Sequence, residues 1–218
     1  MRRFLSLLIA FVMVLSMVPA VSFAAELRAV YWDPVSGADT NTGLTEGSPV
    51  KTVAAAYAAL SGANEGRIVM LSTLTLTEET TFPACDIPVT VTSKTGKEGI
   101  RSSKNILFAG DTTLENITVS LNAASNSTFI SAEGHNLTVG EKVTTPAFKS
   151  GSTSYYFCLT GSFYADHVDG MHMTVKSGTW RNIYAASYKE AVTGSVKLTV
   201  TGGTVPNNIA PCYTANIT

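Results

Sequence analysis

The sequence predicts an all-β solenoid in which short coils stack along one axis, and three observations indicate it. The segments 174–188 and 199–213 align at a spacing of 25 residues, and seven of their fifteen positions are identical. A fixed period of this length is typical of repeats that bury their apolar faces only by stacking on their neighbours. Short β-rich runs separated by Gly, Asn, Asp or Ser precede these segments, with no helical period between the runs. A β-sandwich is the alternative fold.

The first 24 residues have the composition of an export signal. Arg2 and Arg3 precede an apolar run over 4–18, and Ser22-Phe23-Ala24 supplies the small residues of a cleavage site. We therefore expect a signal peptide over 1–24, a mature chain without a membrane segment, and a protein that is secreted or held at a bacterial cell surface. Without the two arginines the 16 acidic residues outnumber the bases, so a nucleic-acid partner is not expected.

The mature sequence predicts an N-terminal cap at 25–66. It contains a strand near Val30, a turn-rich loop over 35–49 and a short helix over 51–60. The apolar residues of this helix share one face, which is expected to cover the core of the first coil: Val53, Ala56, Tyr57 and Leu60.

The coils are predicted over 67–218. Their β-rich runs lie at 67–71, 74–77, 89–92, 106–108, 114–119, 129–130 and 137–139. At the other end, Ile217-Thr218 falls 25 residues after Val192-Thr193, so the chain is expected to stop partway through a repeat. An open strand edge at that point predicts a truncated chain or self-association through the edge.

The two aligned segments assign residues to places in a coil. We expect Val175 and Val200 to stack in the core, so that Val200→Asp unfolds the last coils. The remaining assignments are two glycine corners, one buried tryptophan and an amide ladder: Gly178 and Gly203, Trp180, and Asn182 with Asn207. A weaker echo at 160–163 matches 177–180 at a spacing of 17 residues, which predicts a further coil with a different loop length.

Three cysteines follow the signal peptide, at Cys85, Cys158 and Cys212. Their number is odd and no CxxC pair occurs, so no metal site is indicated. We interpret them as small side chains that fill core or turn positions. The alternative is a Cys158–Cys212 disulfide, which an exported protein is able to form if the two Cα atoms are close enough.

The start of the mature chain carries a spaced motif, and the later coils carry a second one. The motifs are Tyr31-x-Asp33-Pro34-x-x-Gly37-x-Asp39-x-Asn41-x-Gly43 followed by Ser48-Pro49-x-Lys51-Thr52-x-x-x-Ala56, and then Ser177-Gly178-Thr179-Trp180 with Gly202-Gly203-Thr204-Val205. The first resembles the N-terminal cap of secreted, right-handed parallel β-helix proteins of the pectate-lyase-like superfamily. The second is similar to coils of large, adhesin-like bacterial surface proteins. The resemblance implies a right-handed parallel β-helix, a fold that carries lyases, hydrolases and non-catalytic adhesins alike.

One segment concentrates residues suited to acid–base chemistry. The superfamily's lyases use a basic residue and calcium held by aspartates, and its hydrolases use carboxylates on adjacent coils. The corresponding candidates here are Asp166, His167, Asp169 and His172. Neither acid recurs one coil later, where Ala191 and Gly194 stand, so a polar loop is the alternative interpretation.

Two further groups are candidate binding residues. Asp33, Asp39 and Asn41 in the cap loop would suit a cation such as calcium, although such residues also make turns that satisfy loop backbone. A stripe of tyrosines would suit stacking on sugar rings, although tyrosines at the edge of a core are the alternative: Tyr184, Tyr188 and Tyr213. No other cofactor is expected.

These observations favour a non-catalytic extracellular β-helix region of a bacterial surface protein, acting in adhesion or as a stalk. A polysaccharide lyase or glycoside hydrolase is the first alternative and a carbohydrate-binding module is the second. Whether the chain is an enzyme stays open, and the sequence favours a protein without catalytic activity. The expected partner is a polysaccharide or a glycan on a host or cell surface.

Overall fold

The computed structural model describes residues 27–165, 168, 170–188 and 193–212, and these form a parallel β-solenoid of about six turns. The predicted all-β solenoid is therefore confirmed. The β-sandwich alternative is wrong, because the three main sheets are built from parallel pairs between successive coils rather than from antiparallel strands. Within the described residues, no helix has the length and apolar character needed to cross a membrane.

Each coil passes in turn through three sheets, which we call A, B and C. Sheet A contains β1 (Leu27–Trp32), β2 (Glu65–Met70), β5 (Val89–Ser93), β8 (Thr112–Glu115), β11 (Leu137–Val139), β16 (Met171–Val175) and β18 (Val196–Val200). Sheet B contains β3 (Leu74–Leu76), β6 (Gly99–Ser102), β9 (Ile117–Leu121) and β12 (Val143–Thr144). Sheet C contains β4 (Thr80–Phe82), β7 (Ile106–Phe108), β10 (Phe129–Ser131), β15 (Cys158–Ser162), β17 (Asn182–Ser187) and β19 (Asn208–Cys212).

Two variations interrupt this pattern. An antiparallel hairpin of β13 (Phe148–Ser150) and β14 (Thr153–Tyr155) is inserted between β12 and β15. In the last two described coils a single bridge between Thr179 and Thr204 lies where sheet B would continue. The hairpin lengthens one coil without breaking the stack, since β11 still pairs directly with β16.

Sheet A shows why alternating apolar residues give a solenoid. Side chains alternate between the two faces of a strand, so one register position from every strand forms a row. The inward row is aliphatic, and all its members except the last are fully buried: Val30, Ile68, Val91, Leu114, Val139, Val175 and Val200. The adjacent outward row is a ladder of threonines: Thr90, Thr113, Thr138, Thr174 and Thr199.

The N-terminal cap is confirmed as a short helix that covers the first coil. The helix α1 (Val53–Ala58) is shorter than the 51–60 prediction, and the Thr52 hydroxyl caps it by accepting from the Ala55 N–H at 3.2 Å. Tyr57 packs edge-on against Phe82 with ring centroids 6.2 Å apart. The cap's strand β1 pairs with β2 over six residues, so it is also the first strand of sheet A.

Most coil assignments are confirmed, and Trp180 and the two corner glycines are among them. Trp180 is fully buried, and its indole N–H donates to the Ser177 carbonyl at 2.8 Å. Gly178 and Gly203 have φ of +82° and +83°, a backbone conformation that side chains rarely adopt. Val200, expected in the core beside Val175, is instead 40% exposed because no described coil covers it.

Three sequence-based assignments are wrong, each for a local reason. The predicted run 114–119 is two strands, because Asn116 turns the chain with φ of +49°. The echo at 160–163 does not match 177–180 in the structure, because Thr160 of β15 pairs with Tyr184 of β17. Asn182 pairs with Asn208, not with Asn207, because the offset between the two coils grows from 25 residues at Thr179 to 26 at Asn182. The Asn208 N–H donates to the Asn182 side-chain oxygen at 3.2 Å.

Cys85 and Cys158 are free thiols, as their interpretation as filler residues requires. The Cys158–Cys212 alternative is wrong, because β17 lies between the two strands that carry these residues. Two strand spacings amount to roughly 9.6 Å, which exceeds the Cα separation of a disulfide. Burial raises the pKa of the Cys158 thiol, while its sulfur accepts from the Asn182 amide at 3.5 Å. Cys212 pairs with Ser187, as the alignment predicts.

Candidate functional site

The predicted acid–base segment is described only in part. Asp166, His167 and Asp169 lie outside the described residues. His172 is exposed on β16, where its backbone N–H donates to the Asn136 side-chain oxygen at 2.8 Å. In register, His172 stands beside Lys197 of the next coil. The four candidates therefore stay a prediction, with the position of His172 known.

Asn136, which contacts His172, is held in turn by the Asp111 carboxylate of the preceding coil. Both oxygens of Asp111 accept from Asn136, from the backbone N–H at 2.9 Å and from the side-chain amide at 2.8 Å. His135 lies 4.0 Å from the same carboxylate, and both side chains are partly exposed. The corner therefore satisfies loop backbone with polar side chains.

The cap-loop candidates serve the backbone in the same way. The Asp33 carboxylate accepts from the N–H groups of Val35 and Ser36, both at 3.0 Å, and from the Ser72 hydroxyl at 2.5 Å. Desolvation acts to raise the pKa of Asp33, but these hydrogen bonds outweigh it, and the pKa is lowered.

Asp39 and Asn41 close the loop onto the segment that leads into α1. One Asp39 oxygen accepts from the N–H groups of Lys51 and Thr52, both at 2.8 Å, and the bond from Thr52 is the main reason that the pKa of Asp39 is lowered. The Asn41 amide donates to the Pro49 carbonyl at 2.8 Å. These contacts are those of the turn interpretation. Among the described residues, no group of three His, Cys, Asp or Glu side chains is arranged to hold a metal ion.

Two residues of the predicted tyrosine stripe, Tyr184 and Tyr188, belong to a larger group of rings on the outer face of sheet C. We call it the aromatic cluster: Phe129, Phe163, Tyr164, Tyr184 and Tyr188. Tyr188 lies closest to Phe129, with ring centroids 4.1 Å apart, and stacks on Phe163 at 5.8 Å with an interplanar angle of 15°. Tyr184 is only 5% exposed, Tyr188 is half-buried, and Tyr213 lies outside the described residues.

Tyr164 is the member of the cluster that faces solvent. Its side chain is 49% exposed, and its ring meets Phe163 edge-on at 4.9 Å. The Tyr164 hydroxyl donates to the Glu79 carboxylate at 3.1 Å, and the Asn105 amide donates to the same carboxylate at 2.7 Å. The Asn105 oxygen in turn accepts the Phe129 N–H at 3.0 Å. One exposed ring is thus hydrogen-bonded to a carboxylate that an amide also contacts.

The loop that carries Tyr164 is held by one carboxylate. Glu133, which has a positive φ of +46°, accepts from the consecutive backbone N–H groups of Phe163, Tyr164 and Ala165 at 3.0, 3.1 and 3.0 Å. The Ser131 hydroxyl donates to the same carboxylate at 2.6 Å. Three backbone donors on one carboxylate fix the direction of this loop.

The sequence prediction missed most of this arrangement. Glu79 and Glu133 come from earlier coils and stand 85 and 31 positions before Tyr164, so no local pattern links them to it. The one available signal was the position of Tyr164 immediately before the predicted acid–base segment.

No family model, curated protein or solved structure matches this chain. Its function is therefore argued from its own geometry.

Proposed function

We propose that the chain is a non-catalytic, extracellular β-solenoid region of a bacterial cell-surface protein, acting in adhesion or as a stalk. The observation that carries the proposal is the unbroken stack of sheet A. Its seven strands share one inward aliphatic row, buried from Val30 to Val175, and five of them, from β5 to β18, also carry the outward threonine ladder. With strands about 4.8 Å apart, this stack extends about 29 Å. A stack of this length is suited to a stalk that holds another part of a protein away from the cell, or to an adhesive region that presents its side face to a partner.

The use of polar side chains also supports this role. Asp33, Asp39, Asp111 and Glu133 each accept backbone N–H groups. A carboxylate that orders a turn is engaged in structure, whereas an acid–base catalyst must reach the substrate proton. The apparent export signal at 1–24 supports the extracellular location.

The test combines location with activity. Intact source cells would be treated with protease and probed with an antibody against the chain, with an intracellular protein as the control. We expect the antigen to be lost while the control persists. The purified mature chain would then be incubated with a panel of polysaccharides, and we expect no new reducing ends or unsaturated products.

Two results would contradict the proposal. An antigen that survives protease on intact cells and is released only by lysis would exclude the surface location. Cleavage of any polysaccharide that is lost in His172→Ala, but kept in the matched variant Lys197→Ala, would favour the lyase or hydrolase alternative. Lys197 is a suitable control because it is exposed and pairs in register with His172.

A further inference from the structure

We infer that the Tyr164 ring, together with Glu79 and Asn105, forms a binding subsite for a neutral sugar unit of a polysaccharide. The inference deepens the adhesive role proposed above and rests on it. The three side chains are joined by hydrogen bonds of 3.1 Å and 2.7 Å through the Glu79 carboxylate. No sequence motif assigns a function to Glu79 or Asn105.

The composition of the site matches the two surfaces of a pyranose ring. One face of such a ring is made of C–H groups and packs on an aromatic face, while its rim carries hydroxyl groups. Tyr164 presents a half-exposed ring whose angle is set by the edge-on contact with Phe163. The Glu79 carboxylate, to which the Tyr164 hydroxyl donates, places an acceptor for sugar hydroxyls at the edge of that ring, and the Asn105 amide is held against the same carboxylate.

The charge of the site selects neutral over acidic sugars. Desolvation, the hydrogen bond to Glu79 and then the negative charges of Glu79 and Glu133 raise the pKa of the Tyr164 hydroxyl. A carboxylate or sulfate on the ligand would be repelled by the same charges. A neutral hexose or pentose unit carries no such penalty.

The site is positioned before any ligand arrives. Glu133 holds the three consecutive N–H groups of 163–165, so the backbone under the Tyr164 ring is fixed from the coil below. Below the Tyr164 ring, Phe129 and Tyr184 are buried and Phe163 and Tyr188 are half-buried, so the rest of the aromatic cluster forms a packed support. Preorganisation of this kind lowers the entropy that binding must overcome. Glu133 is therefore a positioning residue.

The experiment is affinity electrophoresis of the mature chain in gels that contain hydroxyethylcellulose, galactomannan or arabinoxylan as neutral probes, with polygalacturonate as the acidic probe. We expect at least one neutral polymer to retard the wild type and polygalacturonate not to do so. Tyr164→Ala is expected to weaken retardation by about tenfold or more, because the stacking surface is lost. Glu79→Gln, which keeps one acceptor, is expected to weaken it severalfold.

Leu44→Ala is the matched control. Leu44 is 52% exposed in the cap loop, so its truncation removes a similar exposed apolar surface elsewhere. Its retardation should equal that of the wild type. Circular dichroism and melting curves of every variant separate loss of binding from loss of fold. Absence of retardation by every neutral probe, wild-type retardation of a folded Tyr164→Ala, or equal retardation by polygalacturonate would overturn the inference.

Glu133→Gln tests the positioning role. It removes an acceptor of the loop N–H groups, so amide exchange at 163–165 should accelerate and retardation should weaken severalfold. Faster exchange with unchanged retardation would show that Glu133 is not a positioning residue for binding. Failure of this inference is distinguishable from failure of the proposed function, since a surface-located, non-cleaving protein without Tyr164-dependent retardation would contradict the inference alone.

Discussion

Gly99 shows how closely the coils approach one another at the level of single residues. It is buried in β6, opposite Thr118 of β9. A Cβ atom built on Gly99 would lie 1.7 Å from the Thr118 carbonyl oxygen and 2.6 Å from its carbonyl carbon. Both atoms belong to the backbone, so a side chain at this position is accommodated only if the strands separate. Glycine is required at this position because the two strands lie too close for a side chain, and not because the chain turns there.

We therefore predict that Gly99→Ala destabilises the protein. The added methyl group must displace strand backbone, and overpacking of this kind costs about 1–3 kcal/mol of the free energy of unfolding. Gly47→Ala is the control, because nothing lies within 4 Å of the corresponding Cβ position. Urea unfolding followed by circular dichroism measures both. Equal stability of the two variants would contradict the close approach of β6 and β9.

At the level of secondary structure, a strand gains stability from the row of inward side chains that it shares with the strands of neighbouring coils. In sheet A the inward row is fully buried from Val30 to Val175: Ile68 to Val175 each lie between two others, and Val30, at the end of the row, lies on the strand that α1 contacts. Val200 has the same chemistry and the same register, yet it is 40% exposed because only one side is covered. The position of a strand in the stack therefore decides how much its core residue contributes. Ile209 of β19, at 53% exposure, follows the same rule.

A matched pair of substitutions tests this rule. We predict that Val175→Asp lowers the free energy of unfolding by more than about 4 kcal/mol, because an unpaired carboxylate replaces a fully buried aliphatic side chain. Val200→Asp should cost only about 1 kcal/mol, since its carboxylate reaches water. This corrects the expectation from the sequence that Val200→Asp unfolds the last coils. Thermal melting of the two variants gives the comparison, and equal losses would contradict the stacking order.

The whole molecule behaves as a one-dimensional stack. Each internal strand of sheets A, B and C pairs with the strands of the preceding and following coils. The stability of one coil is therefore coupled directly to that of its nearest neighbours. The N-terminal end is covered by α1 and by the ring contacts of Phe82 with Trp32 and Tyr57. At the other end, β18 and β19 are the outermost described strands of sheets A and C. Local stability should therefore be lower at β18 and β19 than in the strands nearer the N-terminal end.

We predict a gradient of amide hydrogen exchange along the solenoid. Peptides from β5 and β8 should exchange slowest, because both strands have neighbours on each side and fully buried inward residues. Peptides from β18 and β19 should exchange fastest among the strands of sheets A and C. Exchange followed by mass spectrometry measures this directly. Uniform protection from β5 to β19 would instead indicate a single cooperative unit.

Local patterns were sufficient for much of the fold. Apolar residues at helical spacing predicted α1, and alternation of apolar and polar residues predicted strands such as β5 and β11. The 25-residue repeat predicted the pairing of Thr174 with Thr199 and the burial of Trp180. These predictions succeed because the features depend on residues that are neighbours in the chain or that recur at a regular period.

Other features depended on the approach of distant segments. The register that pairs Asn182 with Asn208 and the turn at Asn116 are set by how one coil meets the next. The hairpin of β13 and β14 interrupts the period and leaves no repeat to align. The support of Tyr164 by Glu79 and Glu133 joins side chains from three different coils.

The sequence by itself determined that the chain stacks into coils, because burying each apolar stripe requires a neighbouring copy of the same pattern. It also determined which residue types form the core and which turn the corners. Only the tertiary structure decided which aromatic ring stays exposed, which carboxylates order backbone, and which strand register brings them together. The physical reason is that exposure and hydrogen bonding are properties of contacts between coils, and such contacts join residues that lie far apart in the sequence.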